Sequence, residues 1–359
     1  MSGGNAFATL LREDRLMARQ FVVHVGAPKT GSSAFQEWAV RHREALLDVG
    51  FLYPVTGATE GGNHAPLVGA LGGAIDDVGR ATHLVRAFDR ELRTHPDADV
   101  IVSAETMTSL RFLPNMARLH RALTKRDGQA TVIQVVRDQV PWRNSCYAQA
   151  REMLTPLPPF REYVQIGRLG PRGGNWEFLE DRYRQAGFAY EALAFDAELR
   201  RKGLVSAMAE MPSLNRLLPL TAESRREANP SVTDTALLVA DQVRALVADT
   251  DGVVQQGLRP KLMPLIARHA KRLPGKSFNG FDEELAETIR DAYRLTNQTF
   301  ARRNFARDWD ALFPPKPVGE LSADQLALLP PREQRRVKGA AGRVILEAVE
   351  AGILQLTPR

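Results

Sequence analysis

The stretch Phe21-Val-Val-His-Val-Gly-Ala-Pro-Lys-Thr-Gly-Ser-Ser33 decides how the chain reads. Phe21 to Val25 is β-branched and apolar apart from His24, as a buried strand requires. Gly26 to Ser33 follows as a loop with two glycines. From Ser33 to Leu47 the apolar residues Phe35, Trp38, Ala39, Leu46 and Leu47 recur at helical spacing. The opening unit is therefore strand, glycine-containing turn, helix. Such a turn, opening on a helix N-terminus, offers successive backbone N–H groups and forms an anion site. His24, inside the strand, reads as a hydrogen-bonded core histidine.

Outward from this unit the chain alternates. Phe51 to Tyr53 is a second strand closed by Pro54, and residues 56–79, rich in glycine, read as irregular. Leu84 to Leu92 reads as a helix and Val100 to Ser103 as a third strand. A helix over Met116 to Thr124 precedes a fourth strand, Thr131 to Val136, that ends on Arg137. Residues 142–153 and Glu177 to Gln185 read as helices, and Phe188 to Phe195 as a fifth strand. Strands alternating with helices predict right-handed βαβ units. The expected fold is α/β, a P-loop-like three-layer α/β/α arrangement with a central parallel sheet and a largely helical C-terminal half. Residues 1–19 read as a lead-in and 20–313 as the α/β domain. Residues 314–359 read as a linker (PPKP at 314–317) and a small helical tail over 318–359, with Ser322 and Gln325 as a capping box.

The composition is that of a globular protein. The 359 residues are 44% hydrophobic and 25% charged, which excludes collagen-like and wholly disordered chains. A net charge of +6 suits an anionic partner without choosing one. The single Cys146 excludes an intrachain disulfide and a cysteine-based zinc cluster. No segment approaches the roughly 20 apolar residues that span a bilayer. The N-terminus has its charges after a short apolar stretch, the reverse of a signal peptide. The expected location is cytoplasmic.

The spacing of Gly26 and Gly31 is that of a P-loop, but a nucleoside-triphosphatase places its lysine directly after the second glycine. Position 32 is serine, and the loop's lysine is Lys29. A second P-loop-like run, Ala270-Lys-Arg-Leu-Pro-Gly-Lys-Ser277, lacks the first glycine and follows a basic, helix-like run (LIARHAKR). It reads as a solvated basic face or part of a groove for an acidic acceptor.

Pro28, Lys29, Thr30, Gly31, Ser32 and Ser33, with Gln36 in the next helix, resemble the 5′-phosphosulfate loop of sulfotransferases that use 3′-phosphoadenosine-5′-phosphosulfate (PAPS). Ser-Ser stands where Thr-Thr or Ser-Thr is common, so both hydroxyls survive. The family's 3′-phosphate motif, an arginine at a strand end and a serine eight residues on, is similar to Arg137 and Ser145. More loosely, Arg225 to Ser231 resembles an Asn-x-Ser segment of bacterial members, and Asn297 to Phe313 their C-terminal helix. The tail resembles nothing in the family.

The resemblance implies the fold above and PAPS as co-substrate, with no metal. It implies that Gly26, Pro28, Lys29, Thr30, Gly31, Ser32, Ser33, Arg137 and Ser145 hold the nucleotide, Lys29 at the bridging oxygen. For the general base it raises Glu105, after the third strand, and His64, in Gly-Gly-Asn-His. Asn229 and Ser231 are equally read as ligand contacts or helix caps. The acceptor is a hydroxyl or amine on a saccharide, a lipid-linked glycan or a small metabolite. Residues 56–79 and 155–175 are the candidate acceptor loops. Two alternatives are a kinase-like phosphotransferase using NTP and a non-catalytic nucleotide-binding regulator. Nucleic acid is not an expected partner, for no aromatic–basic repeat is present. A homo-oligomer is compatible with the sequence.

Overall fold

The structure, a computed structural model, describes residues 18–109, 112–126, 128–165, 174–223, 232–248, 254–255 and 257–354. The strands are β1 (Arg19–Gly26), β2 (Phe51–Leu52), β3 (Asp99–Ser103), β4 (Gly128–Val136) and β5 (Ala189–Ala194). The longer helices are α1 (Ser32–Arg41), α2 (Ala65–Gly72), α3 (Val78–Thr94), α4 (Met116–Thr124), α5 (Gln139–Glu152), α6 (Trp176–Gln185), α7 (Asp234–Val247), α8 (Arg259–Ala270), α9 (Glu283–Phe305) and α10 (Pro331–Glu350). The chain divides into two compact units.

The first unit comprises Met1–Arg137, Asn175–Arg226 and Thr296–Pro314. Its strands form one parallel sheet in the order β2-β3-β1-β4-β5. Strand β1, buried without a break from Phe21 to Gly26, takes the centre, where both faces are covered. Alternate residues serve opposite faces. Val22, Ile101, Ile133 and Val135 pack with Phe35, Trp38 and Ala39 of α1 and with Leu199, Leu204 and Met208. On the other face α4 lies against β4 and α6 against β5. There Tyr183 stacks on Tyr190 at 6.1 Å between ring centres, and the Tyr190 hydroxyl donates to Gln134 at 2.8 Å. These are the three layers that the alternation predicts.

Residues 56–79, expected to be irregular, contain α2 and the start of α3. Leu67 through Gly72 are all buried, so α2 is apolar on every side and carries no amphipathic period to read. Gly73 at φ +76° ends it, and the Asp77 carboxylate caps α3 by accepting from the Arg80 N–H.

The second unit comprises Asp138–Gly174, Glu227–Leu295 and Pro315–Arg359. One core joins Leu238, Val239 and Val243 of α7, Leu262 and Ile266 of α8, and Val337, Ala340, Ala341 and Val344 of α10. A second joins Tyr147 of α5 to Phe160, Phe278, Phe281 and Leu285. The segment expected as a separate tail therefore supplies a core helix, α10, to this unit. Its small residues let α7 and α8 approach closely, and small residues give a weak hydrophobic signal in sequence. Ser322 does not cap a helix: its hydroxyl accepts from the Asn279 N–H at 3.1 Å. The Pro-Gly-Lys-Ser run is structural, with a bridge between Thr233 and Ser277 and an ion pair from Lys276 to Glu320 at 2.9 Å. Among the described residues no helix is long and apolar enough to cross a membrane.

Phe35 is fully buried between α1 and the sheet. Phe35→Ala is expected to cost about 3–5 kcal/mol of stability, measured by chemical denaturation.

Candidate functional site

The first strand delivers residues 27–31 to the carboxyl edge of the sheet, where open α/β sheets bind ligands. Register sets the neighbours. Ser103 pairs with His24 and Val135 with Gly26. Glu105 and Arg137, each two residues beyond those positions, thus emerge on either side of the loop.

The loop is held in an unusual conformation. Lys29 has φ +65° and Gly31 φ +88°. Glycine adopts the left-handed region freely, whereas a lysine there costs about 1–2 kcal/mol and needs support. Support comes from two hydrogen bonds. Thr30 Oγ1 donates to the Ala27 carbonyl at 2.6 Å, and Arg137 Nη1 donates to the Lys29 carbonyl at 2.9 Å. Gly26 is fixed by crowding, since a Cβ there would stand 1.7 Å from Ser32 Oγ.

The loop's donors are the consequence. Helix α1 starts after Gly31 with no side-chain cap, and its first inward bonds run from the Ala34 and Phe35 amides to the Gly31 carbonyl. The amides of Lys29 through Ser33 have no acceptor among the described residues. Five successive donors, a helix N-terminus and an exposed lysine fit an oxyanion such as a phosphate or sulfate. The Ser32 hydroxyl, buried and without a full hydrogen bond, fits the same group.

Arg137 is positioned from three sides. Its guanidinium lies over the Phe195 ring, 5.5 Å from the centre, besides reaching Lys29. Phe195 is pinned by its amide, which donates to the Val136 carbonyl at 2.7 Å, and its ring borders Gly31. The Trp176 indole N–H donates to the Arg137 carbonyl at 3.1 Å. Sequence reasoning missed Phe195. Nothing in a strand-terminal phenylalanine announces that it will lie under a guanidinium.

Glu105 opens a short 3-10 turn after β3 and is half-buried. Burial pushes its carboxyl above the ordinary range. The Ser32 hydroxyl beside it and the Lys29 ammonium pull it back. A carboxylate, an ammonium and an amide-lined loop therefore share one edge of the sheet. Such a set can bind an oxyanion, steady a departing negative charge and accept a proton.

A buried polar network lies beneath. Gln36 Nε2 donates to Ser103 Oγ at 2.9 Å, and the Ser103 hydroxyl shares a further hydrogen bond with His24 Nδ1 at 2.8 Å. The Ser103 N–H donates to His64 Nδ1 at 3.2 Å, and His64 Nε2 donates to the Pro54 carbonyl at 2.9 Å. His24 is the core histidine expected from its place in the strand. His64, a candidate base, is fully buried and both ring nitrogens are engaged. It has no lone pair left for a substrate, so its role corrects to bracing the ends of β2 and β3.

The remaining candidates are placed separately. Ser33 is exposed and Pro28 half-buried in the loop. Ser145 belongs to the second unit, where its hydroxyl donates back to the Pro141 carbonyl at 2.8 Å. Asn229 and Ser231 lie outside the described residues, as do positions 166–173 of one candidate acceptor loop. Among the described residues no three His, Cys, Asp or Glu side chains are gathered as metal ligands.

Fold and loop together define a three-layer α/β protein whose central strand ends in a glycine-containing loop lined with amides free of acceptors among the described residues. No protein-family model matches the chain, and neither does any curated protein. Among solved structures it is similar to the crystal structure of a sulfotransferase from Alicyclobacillus acidocaldarius. The two share 16% identity over 64% of this chain and 92% of the other, with a TM-score of 0.37.

Burial lowers the pKa of His24 to about 3 and of His64 to about 4. Unfolded histidines take up protons near pH 6.5, while these two stay neutral in the fold. Stability must then fall as pH drops from 6.5 towards 4, by up to about 1.4 kcal/mol per pH unit for each histidine. Denaturation midpoints at pH 7, 6 and 5 should show this loss, with a shallower slope in His64→Gln. Equal slopes would contradict the assignment.

Proposed function

We propose that the chain is a PAPS-dependent sulfotransferase that moves a sulfuryl group to a hydroxyl or amine of a saccharide, lipid-linked glycan or small metabolite. The observation that carries the reading is the 2.9 Å hydrogen bond from Arg137 to the Lys29 carbonyl. It joins the strand-end arginine of one nucleotide motif to the lysine loop of the other. A doubly phosphorylated adenosine needs both at once.

In this reading the amides of residues 29–33, with Thr30, Ser32 and Ser33, hold the 5′-phosphate. The Arg137 fork takes the 3′-phosphate. Ser145 enters on its sequence spacing alone. The acceptor oxygen or nitrogen forms a bond to sulfur while the bond from sulfur to the bridging oxygen breaks. The electron pair leaves on the 5′-phosphate, where the Lys29 ammonium offsets the new charge. The acceptor's proton passes to Glu105, whose raised pKa makes it the stronger base. Position 32 tells against an NTP phosphotransferase, because the lysine that would reach β- and γ-phosphates is replaced by serine.

Two measurements test the reading. Calorimetry should show adenosine 3′,5′-bisphosphate binding well ahead of ATP. Transfer of labelled sulfate from PAPS to a saccharide and metabolite panel should fall at least about 100-fold in Lys29→Ala, with the far-UV spectrum unchanged. Wild-type turnover in that variant, or tighter binding of ATP, would refute the reading.

A further inference from the structure

The second unit carries a feature that the catalytic reading does not use. Four arginines, Arg272, Arg335, Arg336 and Arg343, converge on one cleft of about 450 Å³. They come from chain segments more than sixty residues apart: the turn after α8 and the helix α10. All four are exposed, and none has an acidic partner among the described residues. The nearby Glu347 is already engaged by Arg268 and by His269 at 2.8 Å.

Helix geometry makes this a built surface. Residues 335, 336, 339 and 343 share one stripe of α10, opposite the face of Val337, Ala340, Ala341 and Val344 that fills the core. In the middle of the stripe stands Gly339, exposed, where an added Cβ would meet only Arg343 Nη1 at 3.6 Å. The glycine leaves a gap in which a ligand can reach the helix backbone between the guanidinium groups. Crowding like charges works against folding, so the fold alone does not call for this arrangement. Arginine forks match the oxygens of phosphate and sulfate esters.

We propose that this cleft binds a compact polyanion bearing several phosphate or sulfate ester groups. The rest of the lining is Leu273, Pro274 and Gly339, which offers no aromatic ring for stacking a base. The cleft's volume fits one small molecule instead of a duplex or a lipid surface. A phosphorylated polyol and a sulfated saccharide share the required chemistry.

The test is calorimetric, on the full chain, with inositol hexakisphosphate and sucrose octasulfate as probes. Tighter binding of one probe identifies the ester type, and either result supports the proposal. Arg335→Gln/Arg336→Gln should weaken the binding at least tenfold, and so should Gly339→Glu, which sets a carboxylate in the gap. Arg86→Gln/Arg90→Gln, a control in the first unit, should stay within twofold of wild type. Adenosine 3′,5′-bisphosphate should bind all variants alike, so failure of this proposal and failure of the sulfotransferase reading are separable. Equal affinity of wild type and the cleft variants for both probes would overturn the proposal. So would cleft-dependent binding of duplex DNA or anionic vesicles without binding of either probe.

Discussion

A single hydrogen bond, from the Arg137 guanidinium to the Lys29 carbonyl, ties the tip of the fourth strand to the loop after the first. The loop needs that tie. Lys29 sits in a backbone region that L-residues avoid, and the conformation persists only where its surroundings over-determine it. With Lys29 and Gly31 so held, five successive amides remain without acceptors among the described residues, a row of donors open to an anion. The central place of β1 does the rest, because β3 and β4 on its two sides bring Glu105 and Arg137 to the same edge.

Beneath the loop, polar groups occupy space that a simple core would give to aliphatic side chains. Gln36, Ser103, His24 and His64 are fully or almost fully buried. Burying them unpaired would be costly, and the chain of hydrogen bonds through Ser103 offsets most of that cost. The network links α1 to the end of β3 and to the segment before α2. It fixes the base of the turn that carries Glu105. Rigid support of this kind keeps catalytic groups within a fraction of an ångström.

Much of this was legible in the sequence, for identifiable reasons. All five strands stood out because parallel strands buried on both faces read as apolar runs, FVVHV and TVIQVV above all. The turn after β1 was legible because glycines stand at fixed spacing directly after an apolar strand and before a helical period. Three features were not. Helix α2 is buried all round and lacks a period. The last helix packs through alanines and valines, and nothing local shows that they form a core with α7 and α8. His64 carries the residue type of a base, yet only tertiary structure shows both of its nitrogens spent on Ser103 and Pro54.

The claim at the centre is that the amides of residues 29–33 grip the nucleotide's phosphate. Amide hydrogen exchange, followed residue by residue with and without adenosine 3′,5′-bisphosphate, addresses it directly. Saturating nucleotide should slow exchange strongly at those five positions while leaving α10 unchanged. Tight binding that leaves the five amides exchanging as before would contradict the account.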